Sequence, residues 1–369
     1  MISLRREWCG YEGCKDCYYF VSRLCRGCYF KMCLIAQCQR GFQYTGITYP
    51  RSFCRLRQYC PVKTASRAPV QTPSLGRRPM AKVGFQGFVP EIDVNDERSW
   101  FWRHGVELPE VFVSLWQLLA NEEILRKASS KGLHDFLTFN GRIFLSTVMP
   151  DELIDKLETK DYFKLIEDLR PDATMIPDNY TYVDDPLFLS WSQTVSLISF
   201  ANDFLNLNTP LIGLVKGANH LQIDWAIRKQ VEMGYASFAM PARELLEDNL
   251  LGDLLPAIMM SLRWVSRRTK KDLELLVYGV GRKFKYKGIN SYSNLSWFLE
   301  AKHGCYYKNG WSYDLRDPAI RFEECGCEVC RGIMPQEIID LMLEDKEQGF
   351  RTLVLHNLLD MKRSLAGRS

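Results

Sequence analysis

Cys325, Cys327 and Cys330 fall within six positions of the stretch ECGCEVCRG, and a single histidine, His356, follows in LVLHNLL with 25 residues between it and Cys330. Three thiolates and one imidazole are four soft or borderline ligands, the number with which a tetrahedral structural zinc closes its shell. A Cys-x-Cys-x2-Cys turn lets three sulfurs converge on one ion. A histidine so distant must arrive on another element, so the site should staple a loop to a helix. The competing reading is of buried cysteines that serve as small apolar side chains.

Nine of the thirteen cysteines lie between Cys9 and Cys60. Within CKDCYYFVSRLCRGC, Cys14, Cys17, Cys25 and Cys28 form two Cys-x2-Cys knuckles seven residues apart, a spacing that suits one four-thiolate metal site. Cys9, Cys33, Cys38, Cys54 and Cys60 could furnish another. The ion would be zinc or an iron–sulfur cluster, since both take four thiolates. No export signal precedes these cysteines, so reduced, metal-holding thiols in a soluble cytoplasmic protein are expected rather than disulfides. No apolar run is long enough to cross a membrane.

The net charge of +4 conceals an asymmetry. Residues 1–79 carry 14 Lys+Arg against 3 Asp+Glu, and the remainder carries 34 against 41. A basic arm on an acidic body is what a polyanionic partner such as nucleic acid would select. Aromatics interleaved with cations in CYYFVSRLCRGCYFK suit stacking on bases beside phosphate contacts, or equally the filling of a small metal-knuckle core.

These groups need a scaffold. The segment TASRAPVQTPSLGRRPM, Thr64–Met80, has linker composition. The expected layout is a cysteine-rich basic metal-binding module at 1–62, a linker at 63–95 and a large domain at 96–369. From Val111 onward, short β-rich runs alternate with helical patterns. The runs are VFVSL, RIFLST, ATMIP, PLIGLVKG, YASFAM, LELLVYGVG and INSYSNLS, with an eighth unit expected around RTLVLHNLL. Amphipathic stretches such as PDELIDKLETKDYFKLIEDL and DWAIRKQVEMG separate them, the latter closed by a helix-ending glycine. Near-continuous apolar strands alternating with helices predict a parallel sheet covered by helices, and the number of units favours a closed (β/α)8 TIM barrel. No GxGxxG fingerprint follows the first run, which weighs against a dinucleotide fold.

The Cys-x-Cys-x2-Cys-x25-His spacing at the end of such a chain resembles the zinc site of the tRNA-guanine transglycosylase superfamily. Within it, the branch that places 7-deazapurines in DNA is the nearest. GLHDFLTFNGRIFLS, MIPDNYTY, GLVKGA and VYGVG are similar, in order, to segments ending at that family's second, third, fourth and sixth strands. The resemblance covers roughly residues 110–360. It implies a pentosyltransferase that replaces guanine by a 7-deazaguanine derivative in a polynucleotide. It also implies a base pocket that includes Asp178, Lys216, Tyr278, Gly279 and Gly281, all near strand ends where barrel enzymes keep their chemistry. Tyr278 would stack on the flat base, and the glycines would let backbone approach it.

The chain departs from the family where catalysis is concerned. Ser146 stands at one of the family's aspartate positions and Ser293, or Asn294 after a one-residue shift, at the other; Lys216 replaces a glutamine, and AMPAREL replaces a glycine-rich loop. Serine is a poor glycosyl nucleophile without a base beside it. Either other carboxylates such as Asp178, Asp184 or Asp185 serve, or the protein is a catalytically silent nucleic-acid-binding subunit of a base-modification complex. DNA is favoured over tRNA by the serine–tryptophan pair closing SNLSW, the loss of the pocket glycines, and the want of an RNA-binding domain after His356. A homodimer or other subunits of a modification complex complete the expected partners.

Overall fold

The apolar runs fold as strands buried on both faces, as parallel strands covered by helices must be. In this computed structural model the described residues are 80–154, 157–181, 187–242, 251–279, 289, 291–320 and 323–365. Eight parallel strands close a barrel in chain order: β1 (Phe88–Ile92), β2 (Glu110–Ser114), β3 (Arg142–Ser146), β4 (Ala173–Met175), β5 (Leu211–Leu214), β6 (Ser237–Pro241), β7 (Glu274–Tyr278) and β8 (Ser291–Asn294). β1 closes the ring by pairing with both β2 and β8.

Helices fill the crossovers. α1 (Leu115–Leu119), α2 (Glu122–Lys131) and α3 (Leu133–Leu137) precede β3, while α4 (Asp151–Ile154) and α5 (Thr159–Leu169) precede β4. α6 (Leu187–Phe204), α7 (His220–Met233) and α8 (Leu251–Thr269) lead to β5, β6 and β7 in turn, and α9 (Ser296–Lys302) follows β8. Local chemistry sets the ends of α7. The Asn219 side chain accepts from the Leu221 and Gln222 amides, and Gly234 ends the helix at φ +113°, the left-handed region glycine enters without strain. α7 sits close on the barrel because Gly213 has no side chain: a Cβ there would fall 2.3 Å from Gln230 Oε1. No described helix is long and apolar enough to cross a membrane.

Two expectations change. The run RTLVLHNLL is not an eighth strand but part of α11 (Lys346–Leu365), which follows a two-stranded hairpin of β9 (Cys305–Lys308) and β10 (Trp311–Asp314) and the helix α10 (Pro335–Glu344). A 20-residue helix accommodates an apolar run that looks strand-like in isolation. The missing strand is β1, which lies within the segment 63–95 expected to be linker, beyond the Thr64–Met80 stretch of linker composition. Each strand end singled out from sequence therefore sits one strand later, on β3, β4, β5, β7 and β8.

The residues before β1 also belong to the barrel, for they cross its N-terminal end. The Val83 amide donates to Ser237 Oγ (2.8 Å), the Gly84 amide to Glu274 Oε1 (2.8 Å) and the Gln86 amide to Glu110 Oε2 (3.0 Å). Arg142 pairs with Glu110 and donates to the Gly84 carbonyl, and Phe85 packs edge-on against Phe144. This end is plugged by polar pairs, so the other end is free to hold a site.

Candidate functional site

The register fixes which side chains face inward at the C-terminal mouth. Glu91 pairs with Phe112, Tyr278 with Ser293, and Ser293 with Val89, while Phe112 and Ser114 pair with Phe144 and Ser146. Phe112 touches Tyr278 from a non-neighbouring strand, ring centroids 5.6 Å apart, so this set points into the barrel. Side-chain layers in such barrels are ordinarily bulky and aliphatic. Here the upper layer holds Glu91, Ser114, Ser146, Tyr278 and Ser293, all buried. Three small hydroxyls stand in place of branched aliphatics at the end where barrel sites form, and the Tyr278 hydroxyl hydrogen-bonds with Ser114, Ser146 and Glu91.

Just beyond β4 and β5, Lys216 Nζ donates to Asp178 Oδ1 and to the Asn179 carbonyl, each at 2.7 Å. Sequence places Asp178 and Lys216 as two separate base-reading groups, whereas in the fold they form one buried ion pair. Asp178 Oδ1 also accepts from the Asn179 amide, but Oδ2 is buried with no partner. Ser293 Oγ is likewise buried and without a partner, whereas Ser114 and Ser146 hydrogen-bond with the Tyr278 hydroxyl. Buried polar atoms are nearly always satisfied, so two such oxygens at the C-terminal ends of one barrel make this mouth the candidate site. Burial raises the Asp151 carboxyl nearby, with Lys216 opposing that rise.

Glu91, which sequence reasoning missed, is the most perturbed carboxylate of the mouth. Burial pushes it up to about 7; a hydrogen bond from Tyr278 opposes the rise and Asp93 adds to it. Burial and then the Glu91 charge drive the Tyr278 hydroxyl well above its ordinary value. Tyr278 thus lies inside the barrel against Phe112 and Glu91. Gly279 turns the chain at φ +79° and donates its amide to the Ser293 carbonyl at 2.8 Å, tying the ends of β7 and β8 together. Gly281, Asp184, Asp185 and the arm cysteines Cys14, Cys17, Cys25 and Cys28 lie outside the described residues.

The cysteine motif and His356 converge as their spacing predicts. The Sγ atoms of Cys325, Cys327 and Cys330 lie 3.5, 3.6 and 3.3 Å from His356 Nδ1. All four ligand atoms fall within 4.8 Å of one another. A tetrahedral ion with bonds of ~2.3 Å to sulfur and ~2.05 Å to nitrogen requires S···N edges of roughly 3.5 Å, so the group can hold a metal ion such as zinc. Its surroundings orient it. His356 Nε2 lies 2.7 Å from the Tyr307 carbonyl, which can only accept, so the proton sits on Nε2 and the Nδ1 lone pair faces the sulfurs. The Tyr306 ring stacks on the imidazole, centroids 4.0 Å apart.

The hairpin that supplies these contacts is bound to α11. Asn357 accepts from the Tyr307 amide (2.9 Å) and donates to the Cys305 carbonyl (2.8 Å). The Asn309-Gly310 turn, with both φ positive as a tight hairpin requires, donates two amides to Asp360. Loop, hairpin and helix therefore meet at one point, and Cys330 and His356 are wholly buried there. Compared with known proteins, the chain matches no protein-family model and no curated protein sequence.

Proposed function

We propose that the barrel is a base-exchange pentosyltransferase acting on a polynucleotide, replacing guanine by a 7-deazaguanine derivative, with DNA favoured over tRNA. The observation that carries this reading is the pair of buried oxygens, Asp178 Oδ2 and Ser293 Oγ, that lack hydrogen-bond partners at the C-terminal ends of one barrel. An acceptor such as Asp178 Oδ2 matches the ring and exocyclic N–H donors that guanine and deazaguanines share. The basic segment 1–79 would hold the polymer through its phosphates.

The test follows labelled guanine into DNA and tRNA oligonucleotides, with titration of free guanine and 7-deazaguanine alongside. Incorporation and base binding, both lost in Asp178→Ala, are expected. No incorporation and no base binding in the folded, metal-loaded protein would overturn the reading. Ser146 and Ser293, uncharged where the family carries aspartates, favour one alternative, a silent nucleic-acid-binding subunit. That alternative predicts salt-sensitive polymer binding without any exchange.

The Cys325, Cys327, Cys330 and His356 group, in this reading, holds one structural zinc. Four protein ligands leave no position for a catalytic water. Elemental analysis of full-length protein against a chain beginning at Met80 separates this ion from zinc or iron–sulfur in the arm.

A further inference from the structure

Base exchange needs a group that gives a proton to the departing base and recovers one from the arriving base. Ser146 and Ser293, at the family's carboxylate positions, do not titrate near neutrality. Glu91 stands on the inward face of β1, in register between Phe112 of β2 and the end of β8, and is 7% exposed. The Tyr278 hydroxyl of β7 meets its carboxylate across the barrel. From its own strand end Asp93 acts on it, itself paired with Lys302 of α9 at 3.5 Å. β2 and β8 contribute the neutral Ser114 and Ser293, and α9 fixes the backbone through the Trp297 indole, which donates to the Glu91 carbonyl at 3.2 Å.

We propose that Glu91 is the proton-exchanging catalytic residue of the barrel mouth, a role that rests on the base-exchange reading above. In the first half-reaction the C1′–N bond breaks and its electron pair passes to the base nitrogen. The Glu91 carboxyl gives its proton to the departing base, leaving a carboxylate beside a sugar oxocarbenium ion of equal and opposite charge. In the second, the nitrogen of the arriving base bonds to C1′ while its ring proton returns to Glu91. Atoms and charge balance without a further nucleophile, which accounts for serines where aspartates would otherwise stand. Because burial holds Glu91 at about 7, both of its forms are populated at neutral pH.

The experiment compares exchange of labelled guanine into an oligonucleotide from pH 5 to 9 in wild type, Glu91→Gln and Glu91→Asp, with melting temperature and metal content confirming the fold of each. Wild type should show a limb near pH 7. Glu91→Gln should fall by on the order of 100-fold or more and lose that limb. Glu91→Asp should recover part of the rate with the limb displaced, while free-guanine affinity changes little. Exchange in Glu91→Gln at the wild-type rate with the same limb overturns the assignment and leaves the base-exchange reading standing. Absence of both exchange and guanine binding in wild type overturns both together.

Discussion

At the Cys3His group, His356 uses both ring nitrogens, the Cys330 amide points at Cys327 Sγ, and Asn357 and Asp360 satisfy the hairpin's backbone. At the barrel mouth, Asp178 Oδ2 and Ser293 Oγ have no partner and a buried carboxylate is held near its ionisation midpoint at neutral pH. The first arrangement gathers four ligand atoms about one point and can hold a single ion. The second carries an unfavourable cost of buried, unsatisfied polarity that a ligand would relieve. The first region pairs its polar atoms with one another and leaves Cys325 partly exposed, while the second leaves two oxygens unpaired in the buried interior.

Variants can break this contrast. The largest effect is expected from Cys327→Ser, since the binding free energy of a structural metal, on the order of 10 kcal/mol, is folding free energy. We expect loss of the ion and of cooperative melting, read by metal stoichiometry and calorimetry; a folded, metal-free variant would erase the distinction. Next is Asp178→Asn, which leaves Lys216 buried without its carboxylate and should cost about 3–5 kcal/mol in denaturant titration. Metal content should not change.

Glu91→Gln should do the opposite. A buried carboxyl raised from 4.5 to about 7 favours the folded state while protonated, and this advantage is lost as pH rises through 7. The variant should therefore be more stable than wild type by about 3 kcal/mol at pH 8, with the gain vanishing by about pH 4.5. Equal pH dependence in the two proteins would place Glu91 in water. The smallest effect belongs to Tyr306→Leu, which removes the ring stacked on His356 and should cost about 1 kcal/mol with the metal retained.

The metal group was legible because its information is local: three cysteines in six positions and one histidine in a short list of five. The strand ends bearing Ser146, Asp178, Lys216, Tyr278 and Ser293 were legible because buried parallel strands are continuous apolar runs. β1 was not, since FVPEI places a proline and a glutamate inside a five-residue strand, and proline within a run argues against a strand. Glu91 was hidden with it. The available signal was the apolar flanks of Glu91, Phe88 and Val89 before it and Ile92 after. The Asp178–Lys216 pair was readable only in part, because opposite charges at the ends of successive strands meet only if those strands are neighbours.

The pairing of β1 with β8 also sets a timetable for biosynthesis. Val89 and Ser293 are partners roughly 200 positions apart, so β1 leaves the ribosome some 10 to 40 s before its second neighbour exists. Throughout that interval the growing sheet has two open edges, the exposure that invites wrong pairing and engages chaperones. The histidine that completes the Cys3His group lies on α11, later still in the chain. The four ligands therefore exist together only after all eight barrel strands have been synthesised.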